Sequence, residues 1–209
     1  MTNYKTLIPN LIARNNPDAL EDAFSLCREL EQEGAVRVEG TGKRDHGTTV
    51  YDKGNFVLAH DFSKAIRSAS MDLLRSNNAP DVMLELYYKT HLFDAPHNFD
   101  SFCIYIEKDR APEKQFYVPR RKQLLRCAEA IQGLEDGKYH TVGISLAPGV
   151  GKTTLAEFGL AWTCGRNPFL PNLLVHITPL FWRVCTAKCS AFSTAAASIG
   201  GAMCSPACP

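Results

Sequence analysis

The sequence predicts an α/β protein in three parts. These are a mainly helical unit over residues 1–95, the start of a β-sheet domain over residues 96–173, and an irregular tail over residues 174–209. Three observations indicate this division: apolar residues at helical spacing near the start, a short β-prone run that leads into a glycine-rich loop, and a tail without acidic residues.

In the first part, Asn16 and Pro17 are typical of a helix start, as cap and first helical residue. Turn-forming residues over 40–54 predict a small hairpin between segments 36–38 and 48–51. A second helix is predicted over 61–75, with Asp61 as its cap, and a third over 81–92. The segment 99–107 suits either a helix or a strand.

In the second part, residues 116–118 are expected to be extended because they precede Pro119, which then begins a helix that ends near Leu134. The apolar run over 141–146 predicts a buried strand. A glycine-rich loop follows directly, and a helix is predicted from Lys152 to Cys164.

The strand, loop and helix around Lys152 form the context that a phosphate-binding P-loop requires. Gly149 and Gly151 allow the backbone to approach phosphate closely, and the helix N-terminus directs partial positive charge at an anion. Lys152 is predicted to bridge the β- and γ-phosphates of ATP, and the Thr153 hydroxyl to ligate Mg²⁺. The other predicted cofactor-binding residues of the loop are Pro148, Val150 and Thr154.

One residue departs from the motif: Leu146 stands where its first glycine is usual. The alternative interpretation of the segment is a strand, turn and helix that bind no ligand.

A second group of candidates precedes the loop by about 30 residues. The Gln123 amide offers a donor and an acceptor together, which suits an adenine edge, and Tyr117 can stack on the base. The alternative is a core aromatic beside a solvated basic helix. The basic side chains of this helix are candidates for DNA phosphate contacts, again with a solvated face as the alternative. They are Arg120, Arg121, Lys122 and Arg126.

Composition excludes several classes of protein. Hydrophobic residues make up 45% and charged residues 22%, which is typical of a folded chain. The net charge of +1 indicates no global field for nucleic acid or membrane. No segment reads as a membrane span or a secretion signal, so the eight cysteines are expected to be free thiols in a reducing cytosol. The Cys-x3-Cys spacing of the tail cysteines is not typical of a zinc site.

Three blocks of sequence together, residues 93–102, 112–121 and 148–154, resemble the large terminase subunit of tailed bacteriophages. The likeness is to the group found in phages and prophages of Gram-positive gut bacteria, and covers about residues 80–173. It implies a RecA-like ATPase domain that packages double-stranded DNA with a small terminase subunit at the portal of the procapsid, followed by a nuclease domain. It also implies a location in the cytoplasm of the bacterial host.

The sequence also departs from what such a motor needs. All 22 acidic residues lie at or before Glu157, whereas ATP hydrolysis requires one carboxylate for Mg²⁺ and one to activate water. We therefore expect an N-terminal ATP-binding fragment, inactive alone, in which the family pattern ends near residue 173. A frameshift explains this break, and a natural divergent tail is the alternative. The alternative function is a small nucleotide-binding regulatory or assembly module with a partner-binding tail.

Overall fold

The computed structural model describes residues 3–38 and 48–166. The chain divides into two compact units, an N-terminal unit that ends at Ala95 and a C-terminal unit that begins at Pro96. Among the described residues, none of the helices combines the length and the apolar character needed to cross a membrane.

The described residues of the N-terminal unit form four helices and a hairpin. The helices are α1 (Tyr4–Arg14), α2 (Pro17–Gln32), α3 (Lys53–Arg75) and α4 (Pro80–Asp94). Antiparallel strands β1 (Val36–Val38) and β2 (Thr48–Val50) pair with Val36 opposite Val50. Apolar residues at helical spacing on the four helices form one core, in which Ile8, Leu20, Ile66 and Leu86 are completely buried.

Caps set the starts of two of these helices. The Asn16 side chain accepts a hydrogen bond from the Ala19 amide at 2.8 Å, which confirms the predicted start of α2. The predicted start of α3 at Asp61 is wrong, because Asp52 caps the helix by accepting from the Asn55 amide at 2.9 Å. Asp61 instead pairs with Lys64 on the surface of α3.

The C-terminal unit contains α5 (Phe99–Tyr105), a 3₁₀ turn (Pro112–Lys114), α6 (Tyr117–Glu135) and α7 (Lys152–Arg166). The segment that suited helix or strand is therefore helical. The expected extended conformation of residues 116–118 is wrong, since Phe116 lies in the right-handed helical region of φ and ψ and the next two residues are in the first turn of α6. In the part of this unit that the structure describes, buried apolar side chains from the three helices form a core, among them Phe99, Leu124, Phe158 and Trp162.

The predicted fold class is wrong for the part of the chain that the structure describes. Helices hold 71% of these residues, and the two-stranded hairpin is their only sheet. Residues 141–146, predicted to begin a RecA-like sheet, pair with no strand within the described ranges. The tail over 174–209 and the end of the predicted second domain lie outside the described residues.

Candidate functional site

The glycine-rich loop leads directly into α7, but the strand that a P-loop context also requires is not formed by the described residues before the loop. Gly149 and Gly151 both have positive φ, 82° and 100°, a region that residues with a side chain adopt only at a cost in energy. A Cβ atom on Gly149 would meet nothing within 4 Å, so this glycine is needed for its backbone conformation alone. Pro148 is exposed and Val150 is half-buried.

The first turn of α7 offers backbone donors without acceptors. Gly151 precedes the helix and has no side chain with which to cap it. Within the described ranges, the amides of Lys152, Thr153 and Thr154 donate no hydrogen bond. The first intrahelical bond runs from the Leu155 amide to the Gly151 carbonyl at 3.0 Å. A helix end of this kind attracts an anion, through its amides and through the helix dipole.

Lys152 stands at this end of α7 with its side chain exposed. Its ammonium donates a hydrogen bond to the Leu146 carbonyl, so the side chain folds back along the loop. No carboxylate among the described residues lies within ion-pair distance of it. The Thr153 side chain is exposed beside it, where its hydroxyl is free to approach a ligand.

Phe116, rather than Tyr117, is the aromatic residue that lies on the loop. A Cβ atom built on Gly151 would lie 2.1 Å from Cε2 of the Phe116 ring. The ring also meets Phe158 edge to face, with centroids 5.7 Å apart, and the Arg120 guanidinium lies 5.5 Å from its centroid. The start of α6 is thereby fixed against the loop.

Tyr117 is completely buried, and its hydroxyl donates to Asp100 at 2.7 Å. Burial and this hydrogen bond raise the pKa of Tyr117. Its ring offers no exposed face, so the predicted base contact would require the side chain to move. Gln123 lies exposed on α6, and its contact with adenine stays a prediction.

The basic residues at the start of α6 do not share one environment. Arg121 makes two hydrogen bonds of 2.8 Å to Asp100, which holds its guanidinium in a fixed orientation. Arg120, Lys122 and Arg126 are exposed. Their predicted DNA contacts stay a prediction.

Sequence reasoning missed the role of Glu107, whose side chain is completely buried. Its two carboxylate oxygens accept from the amides of Phe116 and Tyr117, each at 2.8 Å, and of Val118 at 3.3 Å. Arg110 donates to the same carboxylate at 3.2 Å. The start of α6 has no Ser, Thr, Asp or Asn cap of its own. From the sequence, this absence could have indicated that a more distant side chain accepts the hydrogen bonds of the first amides of α6.

The N-terminal unit holds a separate buried cluster of charged groups. His60 on α3 contacts Asp94 on α4 through Nδ1 at 2.6 Å and Glu31 on α2 through Nε2 at 3.3 Å. Its ring lies between Phe56 and Phe93, with centroids at 4.3 and 4.7 Å. These contacts join three helices of the unit.

The protonation states in this cluster follow from its contacts. Burial lowers the pKa of His60, but the hydrogen bonds to Asp94 and Glu31 outweigh it and raise the pKa to about 9. Burial raises the pKa of Asp94, but the hydrogen bond from His60 and the charge of Arg67 lower it overall. Burial and the Asp94 charge raise the pKa of Cys27 to about 12, so this thiol is unreactive. The cluster is a buried network of ion pairs that joins α2, α3 and α4.

Comparison with known protein families, curated proteins and solved structures found no significant match to this chain.

Proposed function

We propose that the glycine loop and the first turn of α7 bind the phosphates of ATP together with Mg²⁺. The observation that carries the proposal is the combination of the free amides of residues 152–154 with a lysine that has no carboxylate partner among the described residues. These are the groups that a phosphate anion needs, arranged at the positive end of a helix dipole.

The residues present fit the ligand group by group. The amides would donate hydrogen bonds to phosphate oxygens. Lys152 would donate to a phosphate oxygen instead of the Leu146 carbonyl, because a hydrogen bond to a charged acceptor is stronger. The Thr153 hydroxyl would be a ligand of Mg²⁺, which prefers oxygen. Bound Mg²⁺ would neutralise charge on the phosphates, while the loop itself holds and orients them. This proposal depends on the loop and helix alone and requires no sheet.

Titration of MgATP into the wild-type chain and into Lys152→Ala tests the proposal. Lys138→Ala is the matched control, because it removes the same charge from an exposed position of the C-terminal unit. We expect Lys152→Ala to lose binding and Lys138→Ala to retain it. Equal binding by all three proteins, or no binding by the wild type, would overturn the proposal.

We further propose that the chain is the N-terminal part of a phage DNA-packaging terminase ATPase. The resemblance of residues 93–102, 112–121 and 148–154 to that family supports this proposal. It implies double-stranded DNA, the small terminase subunit and the portal of the procapsid as partners, in the cytoplasm of the bacterial host. Binding of the purified chain to a small terminase subunit and to duplex DNA is the test. ATP binding without either partner would favour the alternative, a small nucleotide-binding regulatory or assembly module.

A further inference from the structure

Two cations beside the glycine loop donate to backbone carbonyls instead of carboxylates. The Lys152 ammonium donates to the Leu146 carbonyl, and Arg120 Nη1 donates to the Phe116 carbonyl at 3.2 Å. A hydrogen bond to an exposed neutral carbonyl is weaker than one to an anion. Both side chains therefore gain if an anionic oxygen comes within reach.

Neighbouring arginines are held differently. Arg110 donates to Glu107 at 3.2 Å, and Arg121 makes its paired hydrogen bonds with Asp100. Within the described ranges, no carboxylate lies at ion-pair distance from Arg120. Of these three arginines, Arg120 is the one whose charge is not already balanced.

The Phe116 ring lies near both Arg120 and Gly151 of the loop. One side of the ring contacts Gly151 closely enough to exclude a Cβ atom there, and the Arg120 guanidinium lies 5.5 Å from the ring centroid. An arginine in cation–π contact with an aromatic ring can still donate hydrogen bonds, since its guanidinium carries five N–H donors. The Arg120 side chain is exposed and therefore has room to rotate about its own bonds.

We propose that Arg120 is a second phosphate-binding cation of this site. When a triphosphate occupies the loop, Arg120 leaves the Phe116 carbonyl and donates to a phosphate oxygen, while Phe116 keeps the base of the side chain in place. The inference rests on the proposed function, since it concerns the same ligand. If this is correct, the site favours a polyphosphate chain over a single phosphate, because Lys152 and Arg120 can each donate to a different phosphate group.

Calorimetric titration with MgATP, and separately with inorganic tripolyphosphate, at low ionic strength tests the inference. Low salt is chosen because surface charges are screened strongly at higher ionic strength. The variants are Arg120→Gln and Arg120→Lys, with Arg126→Gln as the control that removes equal charge from another exposed position of α6. Urea unfolding of each variant shows whether it is folded, and Arg120→Lys carries the test if Arg120→Gln is unfolded.

We expect Arg120→Gln to weaken binding of both ligands about tenfold, as loss of a charged hydrogen bond does, and Arg126→Gln to change it less than about twofold. Arg120→Lys should lie between them, since it keeps the charge without the guanidinium plane. If Arg120→Gln and Arg126→Gln bind alike while Lys152→Ala does not bind, the inference fails and the proposed function stands. If the wild-type chain binds neither ligand, both fail.

Discussion

Gly151 lies against the ring of Phe116 so closely that a Cβ atom on the glycine would be 2.1 Å from Cε2 and 2.7 Å from Cζ of the ring. Its φ of 100° is independently unfavourable for residues with a side chain. Two separate physical reasons therefore require glycine at this position, and both concern the point where the loop enters α7.

We expect Gly151→Ala to destabilise the chain by more than about 2 kcal/mol, since left-handed backbone strain alone costs roughly 1–2 kcal/mol and the steric clash adds to it. Urea unfolding monitored by circular dichroism measures the change in the free energy of unfolding. Phe116→Ala should remove part of the penalty in the double variant, because it removes the ring that the new methyl group meets.

Two other glycines are controls for this prediction. Alanine at Gly149 meets no neighbour within 4 Å and suffers only from its φ of 82°, so it should cost roughly 1 kcal/mol. Alanine at Gly143 has neither problem and should change stability by less than about 0.5 kcal/mol. Equal destabilisation at all three glycines would contradict the role assigned to Phe116.

The local features of α2, α4 and α7 could be read from the sequence because caps, prolines and helical spacing are properties of short segments. The hairpin between Val36 and Val50 was predictable for the same reason. The start of α3 was not, because Asp52 and Asp61 are equally suitable caps by residue type and only the packing of residues 53–60 decides between them.

The predicted strand over 141–146 shows a different limit. A buried strand was predicted, but Val142, Ile144 and Leu146 are only half-buried and the residues between them are exposed. A strand exists only if another strand accepts its backbone hydrogen bonds, and no described residue does so.

In the candidate site, the conformation of the loop follows from its glycines, whereas the contacts of Phe116 and Glu107 depend on packing between helices.

Glu107→Gln should destabilise the chain by about 2–4 kcal/mol, because buried amides of the first turn of α6 and the Arg110 guanidinium would lose a charged acceptor. The glutamine amide also presents two donors where donors already converge. Urea unfolding is the measurement, and the control is Glu113→Gln at an exposed position in the preceding 3₁₀ turn. A variant as stable as this control would show that the carboxylate does not cap α6.

The stability of the chain should fall as the pH rises from about 6.5 to about 9, through the titration of His60. Its pKa is higher in the folded chain than in the unfolded chain, so its contribution is complete below the unfolded value and is lost as the pH passes the folded value. A pKa shift of this size contributes on the order of 3 kcal/mol to the free energy of unfolding. Asp94, whose pKa is lowered, acts in the opposite direction, and its contribution is lost only in acid.

The free energy of unfolding, measured in urea at about pH 6 and at about pH 9.5, tests this pH dependence. The difference between the two values is compared between the wild type and His60→Gln. The His60 variant should show a much smaller difference. His140→Gln, at an exposed position of the C-terminal unit, should behave as the wild type. An unchanged pH dependence in His60→Gln would mean that the imidazolium does not hold α2, α3 and α4 together.

The 209-residue chain should bind MgATP without hydrolysing it. Turnover needs a carboxylate that orients and activates water, and general-base and positioning effects are each worth orders of magnitude in rate. Glu107 is committed to the amides of α6, and Asp100 to Tyr117 and Arg121. No acidic residue follows Glu157, which is itself buried on α7. Phosphate release with and without duplex DNA should therefore equal that of Lys152→Ala, which controls for contaminating ATPases. Release well above that control, and lost on Lys152→Ala, would mean that this chain contains a complete ATPase.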